Sequence, residues 1–226
     1  MKIKIYKDSK VFFDCDGVVL DSNTIKTKSF IETFEKFGYK KIHIYQFIKY
    51  HKKNGGVSRY KKIDYFFSHI LKIDIDEKIK NKILKYFASI VYKKLLESNL
   101  TDSILKFLNL LKDNSITCYI ISGSDELELN RLFKKIGLKS YFLKIYGSPK
   151  SKIQIADILL NKINHNVKNY YFGDSVMDYE TSRYLNIDYI MLTEYTDQLN
   201  IAKFIKNKNI AHIKNFSKLE YIFLNY

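Results

Sequence analysis

The sequence predicts an α/β fold: a Rossmann-like, doubly wound parallel sheet with an inserted all-helical cap. Two observations support this prediction. In the second half of the chain, short apolar runs alternate with segments of helical periodicity, which is typical of parallel strands joined by right-handed crossovers. Directly after the first strand, one purely helical block interrupts the alternation. We therefore expect a core formed by residues 1–22 and 98–226, and a cap formed by residues 23–97.

The first predicted elements are a buried strand and the helices of the cap. Residues 11–13 form an apolar run that ends abruptly at Asp14, as at the end of a buried strand that enters a loop. Over residues 24–96, apolar side chains such as Phe30 and Phe34 recur at helical spacing. An Asn-Gly-Gly break at residues 54–56 interrupts this block, for which we expect roughly four helices.

The elements after residue 99 alternate between helices and strands. A β-branched run predicts a strand over residues 116–121. Gly137 is a favoured C-terminal cap, and it ends a helix predicted over residues 126–136. The other predicted elements are helices over residues 103–112 and 152–163 and strands over residues 142–146, 170–172 and 189–192.

The composition is that of one globular domain, or of one domain with a modest insertion, since 46% of the 226 residues are hydrophobic and 28% are charged. The net charge of +15 suggests a nucleic-acid partner, but a chain rich in Lys, Ile, Asn, Tyr and Phe also reflects AT-rich codons. Residues 24–95 hold 18 lysines and arginines against 6 acidic residues, so the charge concentrates in the cap. A basic surface that attracts anions and codon bias both stay open as explanations, and we expect no nucleic-acid partner.

Two function classes are disfavoured by what the sequence lacks. No segment approaches the roughly 18 uninterrupted apolar residues of a membrane span, and the start has no apolar signal-peptide core. Cys15 and Cys118 are too few for a disulfide scaffold or a zinc site. We therefore expect a cytoplasmic protein without a membrane partner, and the sequence carries no signal of its oligomeric state.

The histidines show no metal-ligand spacing, and we expect them on the surface or in the core: His43, His51, His69, His165 and His212.

Polar side chains follow four of the predicted strands. Asp14 and Asp16 come directly after the first strand and point to the same side in an extended chain, so a hard cation such as Mg²⁺ would relieve their repulsion. Ligands of open α/β sheets bind at these strand ends. The second strand end carries Ser122 and Gly123, a hydroxyl and a flexible backbone that suit an anion. The third end leads to Lys150 and Lys152 at the start of a helix. The fourth end carries Asp174 and Asp178 after an apolar strand.

These four elements, in this order, resemble the haloacid dehalogenase superfamily of phosphotransferases. The resemblance extends from residue 11 to residue 178: an apolar strand with DxDG, a strand-end serine, a lysine at a helix start, and GDxxxD. It implies that Asp14 is the nucleophile and that Asp16 is the general acid and base. It also implies that Mg²⁺ is held by Asp14, the Asp16 backbone carbonyl and Asp174. The implied phosphate ligands are Ser122, Gly123 and Lys152, with Lys150 as the less favoured lysine, and Asp178 would bind the metal through water or orient the lysine.

The loop at residues 53–59 resembles the specificity loop of caps in the β-phosphoglucomutase and phosphoglycolate-phosphatase branch. This implies that Arg59, with Ser58 and Lys62, contacts a second anionic or polyhydroxyl part of the substrate. The alternative is a plain turn between helices in which Ser58 is an N-cap.

The expected function is that of a Mg²⁺-dependent phosphatase that acts through an aspartyl-phosphate on a small phosphorylated metabolite, of sugar or polyol phosphate type. An enzyme alternative is a phosphomutase of the β-phosphoglucomutase type, which returns the phosphoryl group to the product. Alternatives from other classes are a basic nucleic-acid-binding module and a non-catalytic relative. The Asp16 carboxylate favours phosphoryl chemistry over dehalogenation, because a halide leaves without a proton.

Overall fold

A computed structural model describes residues 1–224 and confirms the α/β fold. The strands are β1 (Lys2–Tyr6), β2 (Lys10–Phe13), β3 (Thr117–Asp125), β4 (Lys144–Ser148), β5 (Tyr170–Gly173), β6 (Asp188–Leu192), β7 (His212–Ile213) and β8 (Glu220–Leu224). The helices are α1 (Asn23–Lys36), α2 (Lys41–Lys53), α3 (Arg59–Tyr65), α4 (Glu77–Leu96), α5 (Ile104–Asp113), α6 (Glu126–Lys135), α7 (Lys152–Leu160), α8 (Val176–Tyr184) and α9 (Ile201–Lys208). None of these helices has the length and apolar character of a membrane span.

The main sheet is parallel, with the order β4-β3-β2-β5-β6-β7 in the described part of the chain. From β2 the chain first builds outward through β3 and β4, and then crosses to the other side of β2 to add β5 and β6. The strand order therefore reverses between β2 and β5, and ligands of doubly wound sheets bind at such a switch point. Phe13 pairs in register with Ile120 of β3 and Phe172 of β5, so the carboxyl ends of these three strands lie side by side.

Helices cover both faces of the main sheet. Phe13 packs with α5 and α6 on one face, whereas Phe12 packs with α7 on the other. Successive side chains of a strand point to opposite faces, so a strand that is buried on both faces is apolar at consecutive positions. The apolar runs in the sequence are uninterrupted because these strands are buried on both faces.

Several bounds and elements differ from those that the sequence predicts. Strand β3 continues to Asp125, α7 ends at Leu160, and β4 begins only at Lys144, because a 3-10 turn at Lys139–Tyr141 precedes it. The sequence pattern does not predict α8, α9, β7 or the separate parallel pair of β1 and β8. In that pair Lys2 lies opposite Glu220, so strands from the two ends of the chain meet.

Residues 23–97, for which we keep the name cap after their predicted role, contain α1 to α4 and a π-helical stretch at Phe66–Leu71 that follows α3. Aromatic rings hold its helices together: the ring centroids of Phe30 and Phe87 lie 4.1 Å apart, and those of Phe34 and Phe66 lie 4.0 Å apart. Helix α4 also packs against α6 of the core. Side chains from α1, α4 and α6 therefore surround a common space beside the strand ends.

Candidate active site

Three buried carboxylates meet at the switch point of the sheet. Asp14 follows β2, and its backbone N–H donates to the carbonyl of Phe172 in β5 at 2.9 Å, which fixes the two strand ends together. Asp174 follows β5, and Asp178 lies in the first turn of α8. One oxygen from each of the three carboxylates lies within 4.8 Å of the others. This places acids that are 160 residues apart in the sequence at one point.

Lys152 is buried among these acids. It is the first residue of α7, and its Nζ lies 2.8 Å from Asp14 Oδ1 and 2.5 Å from Asp178 Oδ1. The dipole of a helix disfavours a cation at its N-terminus. Burial would lower the pKa of Lys152, but the charges of Asp14 and Asp178 outweigh that effect and raise it. Lys150, in contrast, is exposed to solvent.

Asp178 is held in place by several donors. Its carboxylate accepts hydrogen bonds from the hydroxyl of Tyr171 at 2.9 Å and from the hydroxyl of Ser175 at 2.5 Å. Ser175 also accepts from the backbone N–H of Asp178, which closes a capping box at the start of α8. The Asp178 carboxylate therefore has a fixed direction and orients Lys152.

The charge balance of this cluster fits a hard divalent cation. Burial, with Asp178 and Asp16 nearby, raises the pKa of Asp14 to about 7 even though Lys152 opposes this, and burial raises the pKa of Asp174 well above its usual range. Asp14, Asp174 and Asp178 place three buried carboxylates around one lysine, Lys152, so their charges are only partly compensated. Such an excess of buried carboxylate oxygens is a suitable donor set for Mg²⁺, which prefers oxygen ligands.

Asp16 lies in a different environment from Asp14. Its carboxylate contacts Nζ of Lys26 in α1 and the hydroxyl of Ser124, and it accepts a hydrogen bond from Ser22 at 2.5 Å. Burial would raise the pKa of Asp16, but Lys26 and these hydrogen bonds together lower it. The sequence analysis did not identify Lys26, because helical periodicity does not show which strand end α1 faces.

The end of β3 lies against the loop between α2 and α3. Ser122 is buried, and its hydroxyl accepts from the backbone N–H of Ser124 at 3.2 Å. A Cβ atom on Gly123 would overlap the carbonyl oxygen of Gly56 in the cap loop, so only glycine allows this close approach. Gly123 and Ser124 line the cavity beside the acids, whereas Ser122 does not.

Arg59 lies in the cavity wall with its charge already paired. Its two terminal nitrogens donate to both carboxylate oxygens of Glu128 in α6, each at 2.6 Å. The hydroxyl of the next residue, Tyr60, donates to Asp125 at 2.8 Å. Ser58 is the N-cap of α3, as one interpretation of the sequence proposed. The first turn of α3 is thus joined to the start of α6.

A chain of hydrogen bonds connects the cap to the core beside the same cavity. Nζ of buried Lys62 lies 2.8 Å from Nδ1 of His51, whose Nε2 lies 3.1 Å from the hydroxyl of Thr27. That hydroxyl donates to Asp197 of the core at 2.7 Å. Burial lowers the pKa of Lys62 to about 7 and, with Lys62 nearby, that of His51 well below its usual value. His51 is therefore a neutral acceptor for Lys62, a role that its spacing in the sequence did not indicate.

The cavity has a polar end and an apolar half. At the polar end are Asp14, Asp16 and Asp174, and the lining also includes the cations Arg59 and Lys62. We use the term apolar half for the part of the lining that is formed by six buried side chains from α1, α4 and α6: Phe30, Phe87, Val91, Leu95, Leu129 and Leu132. Further polar side chains line the same cavity, among them Asn23, Tyr92, Thr196 and Gln198. Lys152, Asp178 and Ser58 lie outside the lining.

Known proteins share this fold and sequence pattern. The model of the haloacid dehalogenase-like hydrolase family matches residues 11–192, which is most of the chain. A search of curated proteins found no relative that matches.

Solved structures with the same fold cover nearly the whole chain. A predicted phosphatase from Clostridium acetobutylicum is 22% identical, with a TM-score of 0.67, and the alignment covers 92% of this chain and 93% of that one. CbbY from Rhodobacter sphaeroides, solved in complex with phosphate, is 16% identical, with a TM-score of 0.71 and coverage of 95% and 97%. A haloacid dehalogenase-like hydrolase from Streptococcus pneumoniae is 20% identical, with a TM-score of 0.65 and coverage of 92% and 93%.

Proposed function

The chain belongs to the haloacid dehalogenase-like hydrolase family, and from this premise we propose that it is a Mg²⁺-dependent phosphatase that hydrolyses small phosphate monoesters. The observation that carries the proposal is the meeting of Asp14, Asp174 and Asp178 around buried Lys152 at the switch point of the sheet. Such a cluster supplies a nucleophile and a cation for a phosphoryl group.

The residues divide the reaction between them. Asp14 attacks phosphorus to form an aspartyl-phosphate, which water then hydrolyses. Asp16 is the proposed general acid and base: because its pKa is lowered, it must take up a proton before it can protonate the leaving oxygen, and as a carboxylate it then accepts a proton from the attacking water. Lys152, held by Asp178, neutralises the phosphoryl oxygens, and the backbone of Gly123, which lines the cavity, is a further ligand of the phosphate. The hydroxyl of Ser122, which the resemblance also implies as a ligand, is buried behind the lining and would have to turn toward the phosphate.

The implied Mg²⁺ supplies charge neutralisation, which allows a carboxylate to approach a phosphate dianion. The residues proposed to hold it are Asp14, Asp174 and, through its backbone carbonyl, Asp16. Asp178 would contribute only through water, because its carboxylate is engaged with Lys152 and Ser175.

We propose that residues 23–97 act as a cap that keeps water and bulky substrates from the acids. Contacts of the cap with the core on several sides of the cavity, through Lys26, Gly56 and Arg59, support this role. A small metabolite then fits better than a nucleic acid. The sequence favours sugar or polyol phosphates, and the neighbour CbbY has been solved with xylulose-(1,5)bisphosphate. In this chain Arg59 and Lys62 would be charged cap residues beside the organic part.

The test is phosphate release by the purified protein from a panel of phosphate monoesters, with Mg²⁺ or with EDTA. We expect release only with Mg²⁺, and a loss of roughly a thousandfold or more in Asp14→Asn. Asp8→Asn is the matched control, because Asp8 is exposed in the turn before β2, at the opposite end of the same strand.

The alternatives give different results in this assay. A phosphomutase of the β-phosphoglucomutase type would interconvert isomers and release little phosphate. A nucleic-acid-binding or non-catalytic protein would release none, and Asp14→Asn would leave its binding unchanged. Equal phosphate release by the wild type and Asp14→Asn would refute the proposed mechanism.

A further inference from the structure

The part of the cavity that would hold the organic group of a substrate is mostly apolar. Phe87, Val91 and Leu95 follow one another at four-residue intervals on α4, so they form one stripe along a face of that helix. Leu129 and Leu132 on α6 line the same cavity from the core. The apolar half is continuous with the space beside Asp14 and Asp16, because the same cavity contacts both.

The cations around this cavity already have partners. Arg59 forms two hydrogen bonds with Glu128, Lys26 contacts Asp16, and Lys62 lies 2.8 Å from His51. A second phosphate or carboxylate on the substrate would have to displace one of these partners. The cavity therefore offers poor compensation for a second anion.

Few free hydrogen-bonding groups adjoin the apolar half, and one of them is the hydroxyl of Tyr92, which follows Val91 on α4 and also lines the cavity. His51 has both ring nitrogens engaged, one with Lys62 and the other with Thr27. Within residues 1–224, the buried Nε of Arg59 is a donor without a partner, and it suffices for one acceptor atom. Hydroxyl groups that leave water without a new partner weaken binding, by about fivefold or more for each group. A polyol would place several such groups against phenylalanine and leucine side chains.

We infer that the substrate is a phosphate monoester whose organic group is largely apolar, an aliphatic or aromatic carbon skeleton with at most one or two polar atoms. This inference rests on the proposed phosphatase function and narrows its substrate class. It replaces the sugar and polyol phosphates that the sequence favoured. The phosphate lies at Asp14 and Lys152, and the carbon skeleton lies between α4 and α6.

The test compares cyclohexyl phosphate with myo-inositol 1-phosphate, which have the same six-membered carbon ring and differ by five hydroxyl groups. With Mg²⁺, kcat/KM for cyclohexyl phosphate is expected to be at least about tenfold higher. Intrinsic reactivity favours the inositol ester, because its hydroxyl groups make the leaving oxygen more acidic. An equal or higher kcat/KM for the inositol ester would overturn the inference.

A pair of variants locates the cause of the preference in the apolar half. Val91→Thr keeps the shape of the side chain and places a hydroxyl group in the cavity lining, so the preference should fall about threefold or more. Ile83→Thr is the matched control, because Ile83 is buried on the same helix but does not line the cavity. It should lower stability and leave the preference as in the wild type. If Val91→Thr does not reduce the preference, the assignment of the carbon skeleton to the apolar half is wrong. The comparison of the two substrates with the wild-type protein remains valid even if a variant fails to fold.

Acetyl phosphate separates this inference from the proposed function. It has no carbon skeleton that reaches the apolar half, so its hydrolysis reports the chemistry at Asp14 alone. If neither acetyl phosphate nor any ester is hydrolysed, the proposed phosphatase function is wrong, and calorimetric titration with the two ring phosphates then decides the inference. Tighter binding of cyclohexyl phosphate supports it, and equal or weaker binding overturns it.

Discussion

Lys152 and Lys150 show how much two residues of separation change the role of a lysine. Nζ of Lys152 lies within 2.8 Å of Asp14 and Asp178, with no exposed side-chain surface, whereas Lys150 is exposed. The sequence favoured Lys152 because apolar residues follow it at helix positions. In the structure, the first turn of α7 directs its side chain back to the strand ends.

Removal of the Lys152 charge should abolish turnover. We expect Lys152→Met to lower kcat by roughly a hundredfold to a thousandfold, because the phosphoryl oxygens and Asp14 lose their cation. Lys150→Met, the control two residues earlier, should keep the wild-type kcat. The measurement is steady-state phosphate release with Mg²⁺, and a Lys150→Met protein that is as impaired as Lys152→Met would contradict the assignment.

Asp14 and Asp16 are both aspartates, but their environments shift their pKa values in opposite directions. The sequence treats them as a pair on one side of an extended strand. In the structure, burial raises the pKa of Asp14 to about 7, while Lys26 and two serine hydroxyls lower that of Asp16 despite its burial. This difference comes from a cap helix, so it could not be predicted from the strand-end motif.

Helices α3 and α6 are joined by a strong ion pair between the cap and the core. The pair of Arg59 and Glu128 is bidentate, and 12% of the Arg59 side chain and 31% of the Glu128 side chain are exposed. Planar, partly buried pairs of this kind resist replacement, because removal of one partner leaves the other charge poorly solvated. The contact therefore stabilises the position of α3 against α6 beside the cavity.

Glu128→Ala should lower the free energy of unfolding by about 1–3 kcal/mol and raise KM, because Arg59 loses its partner and the cap loses a contact. Glu32→Ala is the control, since it removes an exposed pair with Lys94, and it should change stability by less than about 1 kcal/mol. Thermal unfolding and steady-state kinetics measure both effects. Equal unfolding temperatures for the two variants would show that the ion pair of Arg59 and Glu128 contributes no more to stability than the exposed pair.

The strands that the sequence failed to predict are short or depend on distant partners, whereas the missed helix α8 is as long as α7, which was predicted. Strand β1 pairs only with β8 among the described strands, and its partner lies more than 200 residues later in the chain. Strand β7 has two residues. Local patterns do not encode such pairings, whereas the apolar runs of the central strands and the periodicity of the amphipathic helices can be read from the sequence.

At the scale of the whole molecule, the carboxylate cluster couples folding to metal and to pH. The pKa of Asp14 is raised from its ordinary value of 3.8 to about 7, and that of Asp174 is raised well above its ordinary range. A group with a raised pKa in the folded state contributes stability below its unfolded pKa, and this contribution is lost as the pH rises through the folded pKa.

Without metal, the protein should therefore lose about 2–4 kcal/mol of stability from this cluster between about pH 4 and pH 8. Bound Mg²⁺ stabilises the ionised carboxylates, so the unfolding temperature at pH 8 should rise on addition of Mg²⁺ and fall with EDTA. The measurement is thermal unfolding against pH in both conditions, with a sodium salt at equal ionic strength as the control. Superimposable curves with and without Mg²⁺ would contradict the metal site.

The sequence by itself determined the alternation of the core, the helical nature of the cap and the polar residues at the strand ends. Each of these depends on local periodicity or on residue type at the end of an apolar run. Only the tertiary structure decided how the cap sits on the core: Lys26 against Asp16, Arg59 against Glu128, and an apolar half between α4 and α6. Periodicity shows that a helix has an apolar face, but the surface that this face meets depends on packing between segments far apart in the chain.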